Sequence, residues 1–97
     1  MHDSALARHV LVEGVVQGVG YRQFTRRRAA RLDVSGWVRN RSDGSVEAVV
    51  RGRPTDVEAI LAAMRKGPPG AEVTDLRITA LDAGDIEETG FVVRPTV

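Results

Sequence analysis

The sequence predicts an α+β sandwich of order β-α-β-β-α-β, with two helices on one face of an antiparallel sheet and a short extra strand. Three observations predict it. Apolar residues recur at helical spacing over 21–32 and again between Pro54 and Gly67. A hairpin lies between these helices, its strands 35–41 and 45–52 joined across Asp43-Gly44. One strand precedes the first helix, at 8–15, and another follows the second, at about 73–81. Both amphipathic stripes are satisfied when the helices share one sheet face, which is the ferredoxin-like arrangement. That arrangement alone assigns no activity.

The chain is 97 residues long, enough for one core and a single domain. We expect residues 1–7 to form a flexible tail and 8–97 the domain. Without cysteine, disulfides, thiolate nucleophiles and Cys-based zinc sites are excluded. No apolar run reaches the length of a membrane span and no signal-peptide pattern opens the chain, so a cytoplasmic protein is expected. Net charge is only +1, and the positive charge is local, with Arg22, Arg26, Arg27, Arg28 and Arg31 in one segment.

Each element has its own signal. Strand 8–15 is apolar enough to be central. In the first helix Tyr21, Phe24, Thr25, Ala29 and Leu32 form the inward stripe, while Arg26, Arg27 and Arg31 face out. Arg28 sits at the stripe's edge, where its stem can lie along apolar surface. Asp33 is a weaker stop than glycine. In the hairpin Val46, Ala48 and Val50 share one face, as do Val38 and Asn40. Thr55 and Glu58 fit a capping box, Val57, Ile60, Leu61 and Met64 form the second stripe, and Gly67 ends that helix before Pro68-Pro69-Gly70. Residues 82–90 read as a solvated acidic loop, and Phe91, Val92 and Val93 as a short last strand.

The chemistry concentrates in residues 14–22, GVVQGVGYR. A strand, a turn carrying Gly14, Gly18 and Gly20, and a helix start follow one another. Such a turn can aim successive N–H groups at one point, and the helix adds unsatisfied N–H groups and the positive end of its dipole. Arg22 falls in the first helical turn, where the dipole does not favour a bare cation. An anion between the guanidinium and the turn would resolve that conflict. The stretch thus reads as a cradle for one phosphate or carboxylate group. His2 and His9 have no partners at metal-ligand spacing, so no metal is expected. An RNA-reading sheet needs stacking aromatics, and Trp37 is the only one on the central strands, so nucleic acid is not an expected partner.

VQGVGYR (16–22) followed by GWVRN (36–40) resembles the paired signature of the acylphosphatase family. There, Val-Gln-Gly-Val, two residues and Arg precede Gly-aromatic-Val-x-Asn. The Gly-x-Val-x-x-x-Val-x-Gly run from Gly44 to Gly52 and the late Phe-x-Val also fit, so the resemblance covers residues 8 to 94. It implies the ferredoxin-like fold and hydrolysis of the carboxyl-phosphate bond of small acyl phosphates, without cofactor. Matched by position, Arg22 is the phosphate-binding arginine and Asn40 the water-orienting asparagine. Gln17, Gly18, Val19, Gly20 and Tyr21 complete the phosphate-binding loop with Arg22. Inorganic phosphate is expected as product and inhibitor, and the protein as a monomer. Val15 stands where many members have Arg, and Asp33 where Gly is usual. The alternative is a module of this fold that binds a phosphate or carboxylate ligand without turnover.

Overall fold

A computed structural model describes residues 5–97. The order is β1 (Leu6–Val15), α1 (Tyr21–Leu32), β2 (Ser35–Asn40), β3 (Val46–Gly52), α2 (Pro54–Lys66), β4 (Glu72–Leu81) and β5 (Phe91–Val93), with a 3-10 turn at Ala83–Asp85. The strands form one sheet in the order β4-β1-β3-β2-β5. Pairing is antiparallel except for β5, which runs parallel to β2, so the sheet is mixed where the sequence suggested a wholly antiparallel one. β1 begins two residues earlier than expected: Leu6 and Ala7 pair with Gly52 and Arg51 and belong to the sheet. Ala5 precedes the strand and is exposed, and the rest of the expected tail, 1–4 with His2, lies outside the described residues.

Period-two alternation sends Val10 and Val12 of β1, Val38 of β2 and Val46, Ala48 and Val50 of β3 to the same face, where all are buried. Tyr21, Thr25 and Ala29 of α1 and Val57, Ile60 and Met64 of α2 close over them. The two helices pack on each other and on this one face of the sheet. Phe24 and Leu32, the remaining members of the α1 stripe, are half-buried, and Arg28 lays its guanidinium 5.2 Å from the Phe24 ring centre.

The helix ends differ from expectation. Pro54 is the first residue of α2 and Arg53 its N-cap, with no side-chain cap bond, so Thr55 and Glu58 are inside the helix and form no capping box. The fixed φ of proline suits the first helical position and starts the helix two residues earlier than the capping box would. Asp33 ends α1 in the left-handed region (φ 58°), and its N–H reaches the Ala29 carbonyl as glycine's would. Gly36 has no such freedom to change: a Cβ there would fall 1.9 Å from the Val49 carbonyl oxygen, so β2 and β3 can only approach this closely over a hydrogen atom.

The other sheet face carries a charge array centred on Glu47, which is only 7% exposed. His9 Nε2 lies 2.7 Å from one carboxylate oxygen, and Arg39 Nε donates to the other at 2.8 Å, with Arg41 3.6 Å away. The Arg39 and Arg94 guanidinium groups both lie over Trp37, 4.7 and 4.5 Å from its ring centre. Arg94 also pairs with Glu88, so one residue of the expected solvated loop is tied to the sheet. Burial on its own would raise the Glu47 pKa. The hydrogen bonds from His9 and Arg39 and their charges outweigh it and hold the carboxyl below its ordinary value near 4.5. A carboxylate depressed in the folded state adds stability that is complete above the ordinary value and lost as pH falls through the lower folded one. The melting temperature should therefore fall on acidification below about pH 4.5, and Glu47→Gln should flatten that fall in a calorimetric pH series. An equally steep fall in the variant would place the acid sensitivity elsewhere.

Candidate active site

β1 delivers the chain to the turn and α1 receives it. Val16, buried among the core residues, anchors the near side. Gly18 (φ 77°) and Gly20 (φ 79°) are left-handed while Val19 between them is not, an alternation that turns neighbouring N–H groups toward one concavity. A Cβ at either glycine would meet nothing within 4 Å, so backbone conformation, not space, makes both positions glycine. Gly14 has a different reason. It lies at a bulge against β4, where a Cβ would fall 2.0 Å from the Glu72 carbonyl oxygen. It serves strand packing and is not part of the cradle.

Gly20 caps α1 without a side chain, and no acidic residue occupies the first turn. The first helical bond runs from the Phe24 N–H to the Gly20 carbonyl at 3.0 Å. The N–H groups of Tyr21, Arg22 and Gln23 thus have no acceptor within the helix. Tyr21 fixes this end in place. Its ring is buried, its hydroxyl donates to the Met64 carbonyl at 2.7 Å, and Thr25 Oγ1 donates back to the Tyr21 carbonyl at 2.9 Å. Burial pushes the Tyr21 phenol far above its ordinary pKa, so it stays neutral, and the backbone alone can serve an anion.

The helix start opens on a cavity of about 140 Å³ lined by Val16, Gln17, Gly18, Gly20, Tyr21, Arg22, Gln23 and Asn40. That is below the size of pockets for drug-sized ligands and suits one small anion. A larger hollow of about 470 Å³, lined by Arg26, Arg51 and Arg53 among others, lies beyond the other end of α1. The small one takes precedence because the uncapped amides line it.

Arg22 and Asn40, 18 positions apart in sequence, meet at this cavity. Asn40 ends β2 on the face it shares with Val38, paired with Val46 across the hairpin. Residues after β5 run alongside: the Arg94 N–H donates to the Val38 carbonyl at 2.9 Å and the Val97 N–H to the Asn40 carbonyl at 3.2 Å. Neither the Arg22 nor the Asn40 side chain makes a hydrogen bond or ion pair among the described residues, and both are half-buried.

Two members of the expected loop stand differently. Val19 does not line the cavity: it packs against the core and lies beside Gly70. Gln17 lines it, yet its side-chain nitrogen is committed to the Arg41 and Ser45 carbonyls, each at 2.8 Å. Gln23, not among the expected site residues, also lines the cavity, and its position in the first turn beside Arg22 is the one signal of this in the sequence. Arg26 donates to its amide oxygen at 3.0 Å.

A family model described as Acylphosphatase matches residues 8–93. An acylphosphatase of Acidiphilium cryptum is 48% identical over 91 residues, covering 94% of this chain and 98% of that relative. Among solved structures, an acylphosphatase from Bacillus subtilis matches with a TM-score of 0.87 at 32% identity, over 92% of this chain and 98% of that one. One from Coxiella burnetii matches at a TM-score of 0.85 and 34% identity, over 93% of each chain.

Proposed function

Since the chain belongs to the acylphosphatase family, we propose that it hydrolyses the carboxyl-phosphate bond of acyl phosphates through Arg22, Asn40 and the backbone of the 16–22 turn. The observation that carries the reading is the cavity where the uncapped amides of α1 meet Arg22 and Asn40, whose side chains have no partner among the described residues. The phosphoryl group sits against the amides and the guanidinium, which hold the charge on its oxygens. A water bound to the Asn40 amide attacks phosphorus as the bond to the acyl oxygen breaks. The electron pair leaves with the carboxylate, which needs no proton to depart, so no general acid is required. A neutral amide orients the water without taking its proton, which passes to a phosphate oxygen or to solvent. Positioning and charge do the remainder.

Inorganic phosphate, the product, occupies the same cradle and competes with substrate. Every group this scheme uses comes from one copy of the chain, which supports a monomer; a cytoplasmic setting and independence from metal complete the proposal. A module that binds without turnover is not favoured by the family membership.

Benzoyl phosphate tests the reaction. Turnover should be brisk and survive chelation with EDTA, while alkyl phosphates, whose alkoxides leave poorly without an acid, should react very slowly. Comparable rates on the two classes would require an acid near the cavity. Binding of phosphate with no hydrolysis of benzoyl phosphate would leave only the binding module.

A further inference from the structure

We infer that Gln17 is a positioning residue, which holds the phosphate-binding turn at a fixed distance from Asn40. The inference rests on the water-orienting reading of Asn40 above. The Gln17 side-chain nitrogen donates to the Arg41 and Ser45 carbonyls, each at 2.8 Å, across 24 and 28 residues of chain. Two carbonyl oxygens can only be met by the NH₂ end of the amide, so both of its hydrogens are used. None is left for a phosphate oxygen, which separates Gln17 from the groups that hold the anion.

The acceptors open and close the β2–β3 turn, and Arg41 directly follows Asn40. That turn does not need Gln17 to close. The Gly44 N–H already donates to the Arg41 carbonyl at 3.1 Å, and the Arg41 N–H to the Ser45 carbonyl at 2.9 Å. Asp43 Oδ1 accepts from both the Ser45 N–H and the Ser45 hydroxyl, at 2.9 and 2.6 Å. Gln17 places a second hydrogen bond on two oxygens that are already bonded. What it adds is a cross-link between the element that holds phosphorus and the element that holds the water. The reacting atoms must lie about 3–3.5 Å apart, and a misplacement of about 1 Å can cost on the order of 100-fold in rate.

The test is a double-mutant cycle on benzoyl phosphate turnover, with the inhibition constant of inorganic phosphate measured for every variant. Gln17→Met keeps the length of the side chain and removes both donors; Gln17→Ala stands in if the methionine variant fails to fold by circular dichroism. We expect kcat to fall about 10- to 100-fold while the phosphate constant moves less than about threefold. In the Asn40→Ala background the same change should lower kcat by less than about twofold, because the water it would misplace is no longer held. Losses that multiply in the double variant would make Gln17 independent of Asn40. A phosphate constant that rises in step with the loss of kcat would make Gln17 part of the anion site itself. Unchanged kcat in a folded Gln17 variant would leave the cross-link without a role. Asn40→Ala alone reports separately on the water-orienting reading: near wild-type turnover there would remove that reading, whatever Gln17 does.

Discussion

Arg22→Ala is expected to lower kcat on the order of 10²- to 10³-fold and to weaken inhibition by phosphate at the same time. The reason lies in where the side chain stands. Arg22 lines the cavity from the first turn of α1, where the dipole opposes a cation, and its side chain has no partner among the described residues. A group so placed is balanced only when an anion arrives. On the proposed reading it then contacts phosphoryl oxygens in the bound product and in the transition state alike, so its loss should lower binding and turnover together. Lysine would keep the charge but not the planar fork, and Arg22→Lys should recover only part of the loss. Steady-state kinetics on benzoyl phosphate with phosphate as inhibitor reads both quantities. Full inhibition by phosphate in a folded Arg22→Ala enzyme would move the anion off the guanidinium.

Asn40→Ala should lower kcat by a similar order while leaving the phosphate inhibition constant nearly unchanged. The two side chains share one cavity, but bound phosphate brings no attacking water, so an amide that serves only the water is invisible to the inhibitor. The change should do little to the fold. Among the described residues Asn40 bonds through its backbone, by its carbonyl to the Val97 N–H and by its pairing with Val46, and alanine keeps both. Circular dichroism and a melting curve establish that before the kinetics are read. Near wild-type kcat would reduce Asn40 to the end of a strand.

The pair was legible in the sequence because each residue closes a short motif, VQGVGYR and GWVRN, whose spacing survives without knowledge of the fold. The glycines were legible in part. Gly18 and Gly20 have the left-handed conformation the turn requires, but Gly14, indistinguishable in a string, is glycine because β4 passes against it. Gln17 shows the same limit: its acceptors are backbone oxygens 24 and 28 positions away, and a carbonyl leaves no mark in a sequence. The layers were predicted from hydrophobic period alone. The parallel pairing of β5 was not, since three apolar residues carry no sign of direction. The capping box failed because the Thr55 and Glu58 pattern competes with Pro54, which starts the helix two residues sooner.

The bare start of α1 has a consequence for the stability of the whole protein. Its first turn has neither a capping side chain nor an acidic residue, so an anion held there completes the helix as well as the site. Binding that requires the folded chain raises its stability by mass action, by about 2.7 kcal/mol when free ligand stands at 100 times the dissociation constant. Bound as proposed, the reaction product would thereby act as a folding ligand. On the proposed reading, phosphate that slows catalysis by occupying the cradle would protect the native state in the same event, and the enzyme would be least stable when the cradle is empty and ready for substrate.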